Sequence, residues 1–110
     1  MIDRPEYFPH APVNWSPETA LGRALEERVE LAKDHWVVIL ALQEFFAHHD
    51  GTKPVNRRLL HDALNEKFHY KGGLAYLYRL LPGGPIAQGC RLSGLKVPPG
   101  SVDQSYGSTS

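Results

Sequence analysis

The sequence predicts a predominantly helical domain of the α+β class, with about five helices in a compact orthogonal bundle. Apolar residues recur at i, i+3 and i+4, and clusters of glycine or proline separate these stretches from one another. Residues 1–15 are rich in proline and aromatic side chains, which favours an irregular arm with at most one short extended piece. The length of 110 residues suits one domain.

The first two helices have start signals. Ser16–Glu18 combines a capping serine, a proline that suits the first helical position and an acidic residue that favours the helix dipole. The apolar residues that follow on one face are Leu21, Leu25 and Val29. Asp34 is predicted to cap a second helix that runs to about His49. Its apolar side chains point in every direction, so we expect this helix to be the buried centre.

Three more helices are predicted in the second half. The third begins near Pro54, and its expected buried stripe is Val55, Leu59, Leu60, Ala63, Leu64 and Phe68. A break at Lys71–Gly73 precedes a fourth helix from Leu74 to Leu81. Pro85 opens a fifth helix that runs to about Ser93. The helical domain is therefore expected to span 16–93, between the arm at 1–15 and a flexible C-terminal arm and tail at 94–110.

The charge is balanced overall but unevenly distributed. Residues 1–50 carry a net charge of −5, residues 51–80 carry +4 and residues 81–110 carry +1. The basic segment could face nucleic acid, an acidic protein or an anionic ligand, although pairing with the acidic first half is the favoured interpretation. The candidate binding residues are Arg57, Arg58, Lys67, Lys71, Arg79 and Arg91.

Several classes of function lack sequence support. A single cysteine excludes a disulfide framework and a cysteine-based zinc finger, and the six histidines lack metal-ligand spacing. No nucleophile elbow or phosphate-binding loop is present, so hydrolytic catalysis and phosphate binding lack support. Neither a metal nor another cofactor is expected. The longest apolar run, residues 36–42, is too short to span a bilayer, and no apolar signal region is found. We therefore expect a soluble, cytoplasmic protein without a membrane partner.

The third and fourth helices, joined by a glycine-containing break, suggest a helix-turn-helix pair. Such a pair would bind DNA through its second helix. Leu74–Tyr78, however, offers few polar side chains for base edges.

Cys90 allows two interpretations. A neighbouring Arg91 would lower the pKa of an accessible thiol and make it reactive. Alternatively, Ile86 lies one turn before it, so both side chains could face the core. The pattern favours burial but leaves both possibilities open.

The stretch Tyr76–Cys90, which reads Tyr-Leu-Tyr-Arg-Leu-Leu-Pro-Gly-Gly-Pro-Ile-Ala-Gln-Gly-Cys, resembles the signature of the DsrC/TusE sulfur-relay family. Arg91–Gly100 resembles the start of that family's C-terminal arm. Asp34–Trp36 resembles its acid-His-Trp helix start, and Pro54–Arg57 resembles its Pro-x-x-Arg element. The resemblance covers roughly residues 15–102.

The resemblance implies a helical domain with a small N-terminal β-element and a mobile arm whose penultimate residue is cysteine. That cysteine carries persulfide sulfur, either for tRNA thiolation or to the active site of sulfite reductase, whose gamma subunit belongs to the family. Members that serve the reductase have a second cysteine eleven positions upstream, and the two can form a disulfide or trisulfide. The implied partners are sulfur-relay or sulfite-reductase proteins.

This sequence departs from the family pattern at the arm. Cys90 matches the upstream cysteine, but Ser101 stands where the arm cysteine is expected, and the chain continues from Asp103 to Ser110. A hydroxyl forms neither a persulfide nor a disulfide, so Ser101 cannot carry sulfur. The extra tail favours natural divergence over an engineered replacement. Few residues precede Trp15, so the β-element is expected to be reduced or absent.

Three functional hypotheses follow. The first is a sulfur-relay protein, more a carrier than an enzyme, that docks on partner proteins and has Cys90 as its only possible sulfur acceptor. The second is a non-carrier regulatory paralogue that binds DNA or sulfur-metabolism proteins. The third, a plain interaction domain with no sulfur connection, is the least favoured, because the Tyr76–Pro85 stretch is specific. A monomer is expected in each case.

Overall fold

The computed structural model of the protein describes residues 7–49 and 55–98, and these residues form five α-helices. The helices are α1 (Pro17–Glu26), α2 (Lys33–Ala47), α3 (Arg57–Lys67), α4 (Leu74–Leu80) and α5 (Ala87–Ser93), with a short 3₁₀ helix at His69–Lys71 before α4. The predicted helical class and helix number are confirmed. None of the described residues forms a strand, so the predicted β-element has no counterpart among them. The orthogonal arrangement and the helix-turn-helix geometry stay predictions.

Helix α2 is the centre of the core, as its apolar sequence predicts. It packs against α3 and α5, while α1 packs on α5 and α4 packs on α3. Trp36, Ile39 and Leu42 of α2 are completely buried. No helix in the described ranges is both long enough and apolar enough to cross a membrane.

The start of α2 differs from the prediction. Ala32, and not Asp34, occupies the capping position, and the Nδ1 atom of His35 accepts the backbone N–H of Ala32 at 3.0 Å. Nδ1 is therefore unprotonated, and Nε2 donates to the carbonyl of Leu80 at 2.8 Å. The His35 ring thereby joins the start of α2 to the end of α4.

Asp34 instead joins α2 to the short 3₁₀ helix and to α4. Its Oδ2 atom accepts hydrogen bonds from the Tyr76 hydroxyl and, at 2.8 Å, from Lys71 Nζ. The lysine ammonium and the tyrosine hydroxyl hold the pKa of Asp34 below its usual value. The pairing of basic residues with the acidic first half, which the sequence favours, is confirmed for Lys71.

Two predicted apolar faces are only partly buried. Helix α1 buries Ala20 and Ala24, and Leu25 remains 80% exposed, because small side chains form its contact with α5. On α3, Leu59 is exposed although it belongs to the predicted stripe. This helix also begins later than expected, since the Asn56 side chain caps it by accepting two backbone N–H groups.

The N-terminal segment packs on the helices through two aromatic rings. Phe8 lies edge-on to Trp15, with ring centroids 5.0 Å apart, and 6.0 Å from the ring of Trp36. Tyr7, by contrast, is exposed.

Candidate functional site

Cys90 lies in the middle of α5 with no solvent exposure. Burial raises the pKa of its thiol to about 12, because the desolvation of a thiolate outweighs the attraction of the Arg91 guanidinium. The prediction of burial is confirmed. At neutral pH this side chain is a protonated thiol, which is a poor nucleophile in the described conformation.

A glycine-containing turn leads into α5. Gly84 has a φ of 101°, and its N–H donates to the carbonyl of Leu81 at 2.9 Å. The side chain of Gln88 reaches back, and its Oε1 atom accepts the N–H of Gly83 at 2.9 Å. A Cβ on Gly83 would lie 3.1 Å from that amide group. The buried side chain of Gln88 therefore fixes the conformation of the turn that leads into α5.

Glu27, at the C-terminal end of α1, binds α5 on both sides of Cys90. Its Oε1 atom accepts hydrogen bonds from Gln88 Nε2 and Arg91 Nη2, and its Oε2 atom accepts one from Arg91 Nε, each at 2.8 Å. These contacts, chiefly those of Arg91, lower the pKa of Glu27. Arg91, a predicted binding residue, is thus held within the domain. The sequence analysis missed Glu27, because nothing near it in the chain indicates this role.

Two side chains hold the C-terminal end of α5. The indole N–H of Trp15 donates to the carbonyl of Leu92 at 2.7 Å, and Gln43 Nε2 donates to the carbonyl of Ser93 at 3.0 Å. Both carbonyls belong to the last turn, where a helix leaves its acceptors unpaired. The end of α5 is therefore fixed from two directions.

Gly94 ends α5 in the left-handed conformation, with a φ of 76°. The N–H of Leu95 then donates to the carbonyl of Cys90 at 2.9 Å, which completes a glycine-capped helix end. Leu95 and Val97 pack against the core, and Pro98 is the last residue described. Ser101, the predicted position of the arm cysteine, lies outside the described residues.

The remaining predicted binding residues lie on the surface of α3 and α4. Arg57, Arg58 and Lys67 on α3 and Arg79 on α4 are exposed, whereas Lys71 is paired with Asp34. The structure thus keeps four of the six candidates available to a partner and ties the other two, Lys71 and Arg91, to carboxylates of the first half.

A groove of about 550 Å³ runs between α2 and α3. Apolar side chains such as Phe45 and Leu60 line it, and His48, His49 and Lys67 stand among them. The sequence analysis did not anticipate this groove. Within residues 7–49 and 55–98, no three His, Cys, Asp or Glu side chains are grouped so as to hold a metal ion.

Comparison with known proteins agrees with this arrangement. The family described as DsrC-like protein matches residues 2–102. Sulfurtransferase TusE from Salmonella typhimurium is 37% identical over 84 residues, which cover 76% of each chain. Sulfurtransferase TusE from Escherichia coli is 34% identical, also over 84 residues and 76% of each chain.

A solved structure is similar as well. The NMR structure of DsrC from Allochromatium vinosum superposes with a TM-score of 0.66 at 34% identity, covering 84% of this chain and 85% of that one. The sequence match spans nearly the whole chain, and the similar structure covers most of the fold. The protein with the buried Cys90 thus belongs to the DsrC-like family, whose relatives here include TusE sulfurtransferases and DsrC.

Proposed function

We propose that this protein acts in sulfur relay by docking on partner proteins, with Cys90 as its only possible sulfur acceptor. The observation that carries the proposal is the position of this single thiol, at the end of the family signature on α5, the last described helix. Ser101, at the expected arm position, offers no thiol. Residues 94–110 are proposed to form the arm, with partner recognition as their role.

Sulfur transfer to Cys90 requires a conformational step. The thiolate would attack the outer sulfur of a donor persulfide, the donor S–S bond would break, and the donor would leave as a thiolate. Cys90 would then carry the persulfide without net oxidation or reduction. The buried thiol described above cannot do this in place, so α5 has to open before the reaction.

Incubation with glutathione persulfide, followed by intact-mass spectrometry, tests the carrier role. We expect a mass gain of one sulfur atom on the folded protein and none on the Cys90→Ala variant. Protein unfolded in urea serves as the positive control for the chemistry. An adduct that forms only after unfolding would contradict sulfur transfer through Cys90.

A second candidate function is nucleic-acid binding, which the exposed Arg57, Arg58, Lys67 and Arg79 favour. Binding carried by these residues would weaken as salt rises, because phosphate neutralisation releases counterions. A mobility shift on a DNA duplex should therefore be lost in the Arg57→Ala/Arg58→Ala variant.

The charge-matched control for that experiment is Arg23→Ala/Lys96→Ala, which removes two exposed cations outside α3 and α4. Equal loss in both variants, or binding that does not respond to salt, would exclude a specific interface on α3 and α4.

A further inference from the structure

The Glu27 carboxylate contacts α5 at two points that bracket Cys90. Gln88 precedes the cysteine by two residues and Arg91 follows it directly, and both donate to Glu27 at 2.8 Å. The Glu27 and Arg91 side chains retain relative exposures of 21% and 36%, so this contact is at the surface, whereas the Cys90 thiol is not exposed. A surface contact therefore holds the helix that carries a completely buried thiol.

Helix α5 is the last described helix, and it is held on two sides. On its inner side it lies so close to α2 that a Cβ on Gly89 would be 2.7 Å from Leu42 Cδ1. Apolar packing holds that side, and the charged contact with Glu27 holds the outer one.

We propose that Glu27 is a latch that sets how often α5 opens to expose Cys90. The latch is the group formed by Glu27, Gln88 and Arg91. Proteins open in parts at lower free energy than complete unfolding, and loss of the Glu27 contacts on one side of α5 should favour such a partial opening. The latch controls access to the thiol whether or not Cys90 carries sulfur, so it stands independently of the proposed function.

The rate at which folded protein reacts with iodoacetamide measures this opening. Glu27→Gln keeps the size of the side chain and removes its charge, and we expect Cys90 to be alkylated about tenfold faster, since charge-assisted hydrogen bonds are lost. Arg91→Lys keeps one charged donor and loses the paired geometry, so it should show a smaller acceleration. The Arg91→Lys variant also keeps the test available if Glu27→Gln does not fold.

The matched control is Asp34→Asn, which removes a carboxylate that binds Lys71 and Tyr76 away from α5. Urea unfolding measures the global stability of each variant. The rate of Cys90 alkylation at low urea measures how often α5 opens. We expect Asp34→Asn to reduce global stability while leaving native labelling near the wild-type rate. If labelling in all variants follows global stability alone, Cys90 is released only by complete unfolding and the latch is disproved.

Discussion

The indole ring of Trp15 lies directly against Gly94, so that a Cβ on this glycine would be 2.7 Å from Trp15 Cδ1. The same tryptophan binds the carbonyl of Leu92, so it fixes both the end of α5 and the first residue beyond it. Trp15, which lies just before α1, therefore fixes the position at which the chain leaves α5.

Replacement of Gly94 should destabilise the protein. Gly94→Ala combines a left-handed backbone, with a φ of 76°, and a clash with Trp15, so we expect a loss of roughly 2 kcal/mol or more. Urea unfolding measures the change. Gly22→Ala is the control, because Gly22 is an exposed residue of α1 with nothing within 4 Å of an added Cβ, and alanine there should add about 0.5–1 kcal/mol. A neutral Gly94→Ala would contradict the packing described here.

Arg28 is the one non-glycine residue with a positive φ among those described, at 61°. It follows α1 at the position where glycine is favoured, and Val29 N–H closes the helix end by donating to the carbonyl of Ala24 at 2.9 Å. Arg28→Gly should therefore raise the free energy of unfolding by about 1 kcal/mol. Arg28→Ala removes the same side chain but keeps the strain, so thermal unfolding of this control should change little. Equal stabilisation by both replacements would locate the effect in the arginine side chain.

The buried thiol predicts a loss of stability in alkali. The pKa of Cys90 is raised in the folded protein from 9.0 to about 12, so between these values the unfolded chain loses a proton that the folded chain keeps. Stability is then fully present below pH 9 and falls as the pH rises, by up to about 1.4 kcal/mol per pH unit. The stability difference between wild type and Cys90→Ala, from urea unfolding at several pH values, should shrink over this range. A constant difference would show that the thiol ionises equally in both states.

Glu27 and Asp34 predict the response to acid. Both carboxyl groups have a lowered pKa in the folded protein, against ordinary values of 4.5 and 3.8, so they stabilise the fold above those values. That stabilisation is lost as the pH falls through the lowered folded values. Glu27→Gln and Asp34→Asn should each give a flatter decline of stability below pH 4.5, measured by thermal unfolding. A decline as steep as the wild type in both variants would assign acid unfolding to other groups.

Local signals predicted much of the fold. Ser16 and Pro17 begin α1 as expected, and Gly72 and Gly73, both with positive φ, form the break before α4. These features depend on neighbouring residues in the chain, so sequence patterns reveal them. The prediction that Asp34 caps α2 is wrong because His35 provides a side-chain acceptor that the usual capping pattern does not include.

Features that depend on distant residues could not be predicted. Glu27 gains its role from Gln88 and Arg91, more than sixty positions later, and only the packing of α1 on α5 brings them together. The exposure of Leu25 has a similar origin, because small alanines form the contact where a pattern of large apolar residues suggested otherwise. The spacing from Ile86 predicts the burial of Cys90, but no local signal points to the contact of Glu27 with the same helix.

The close contact between Gly89 and Leu42 limits how this chain can change in length. One inserted residue in the turn before α5 would rotate the helix by about 100° and replace Gly89 at the contact with a larger side chain. Insertions and deletions between Pro82 and Ser93 are therefore expected to disrupt the packing of α5 on α2. Evolutionary variation in length is therefore expected outside this segment, where it leaves the register of α5 against α2 unchanged.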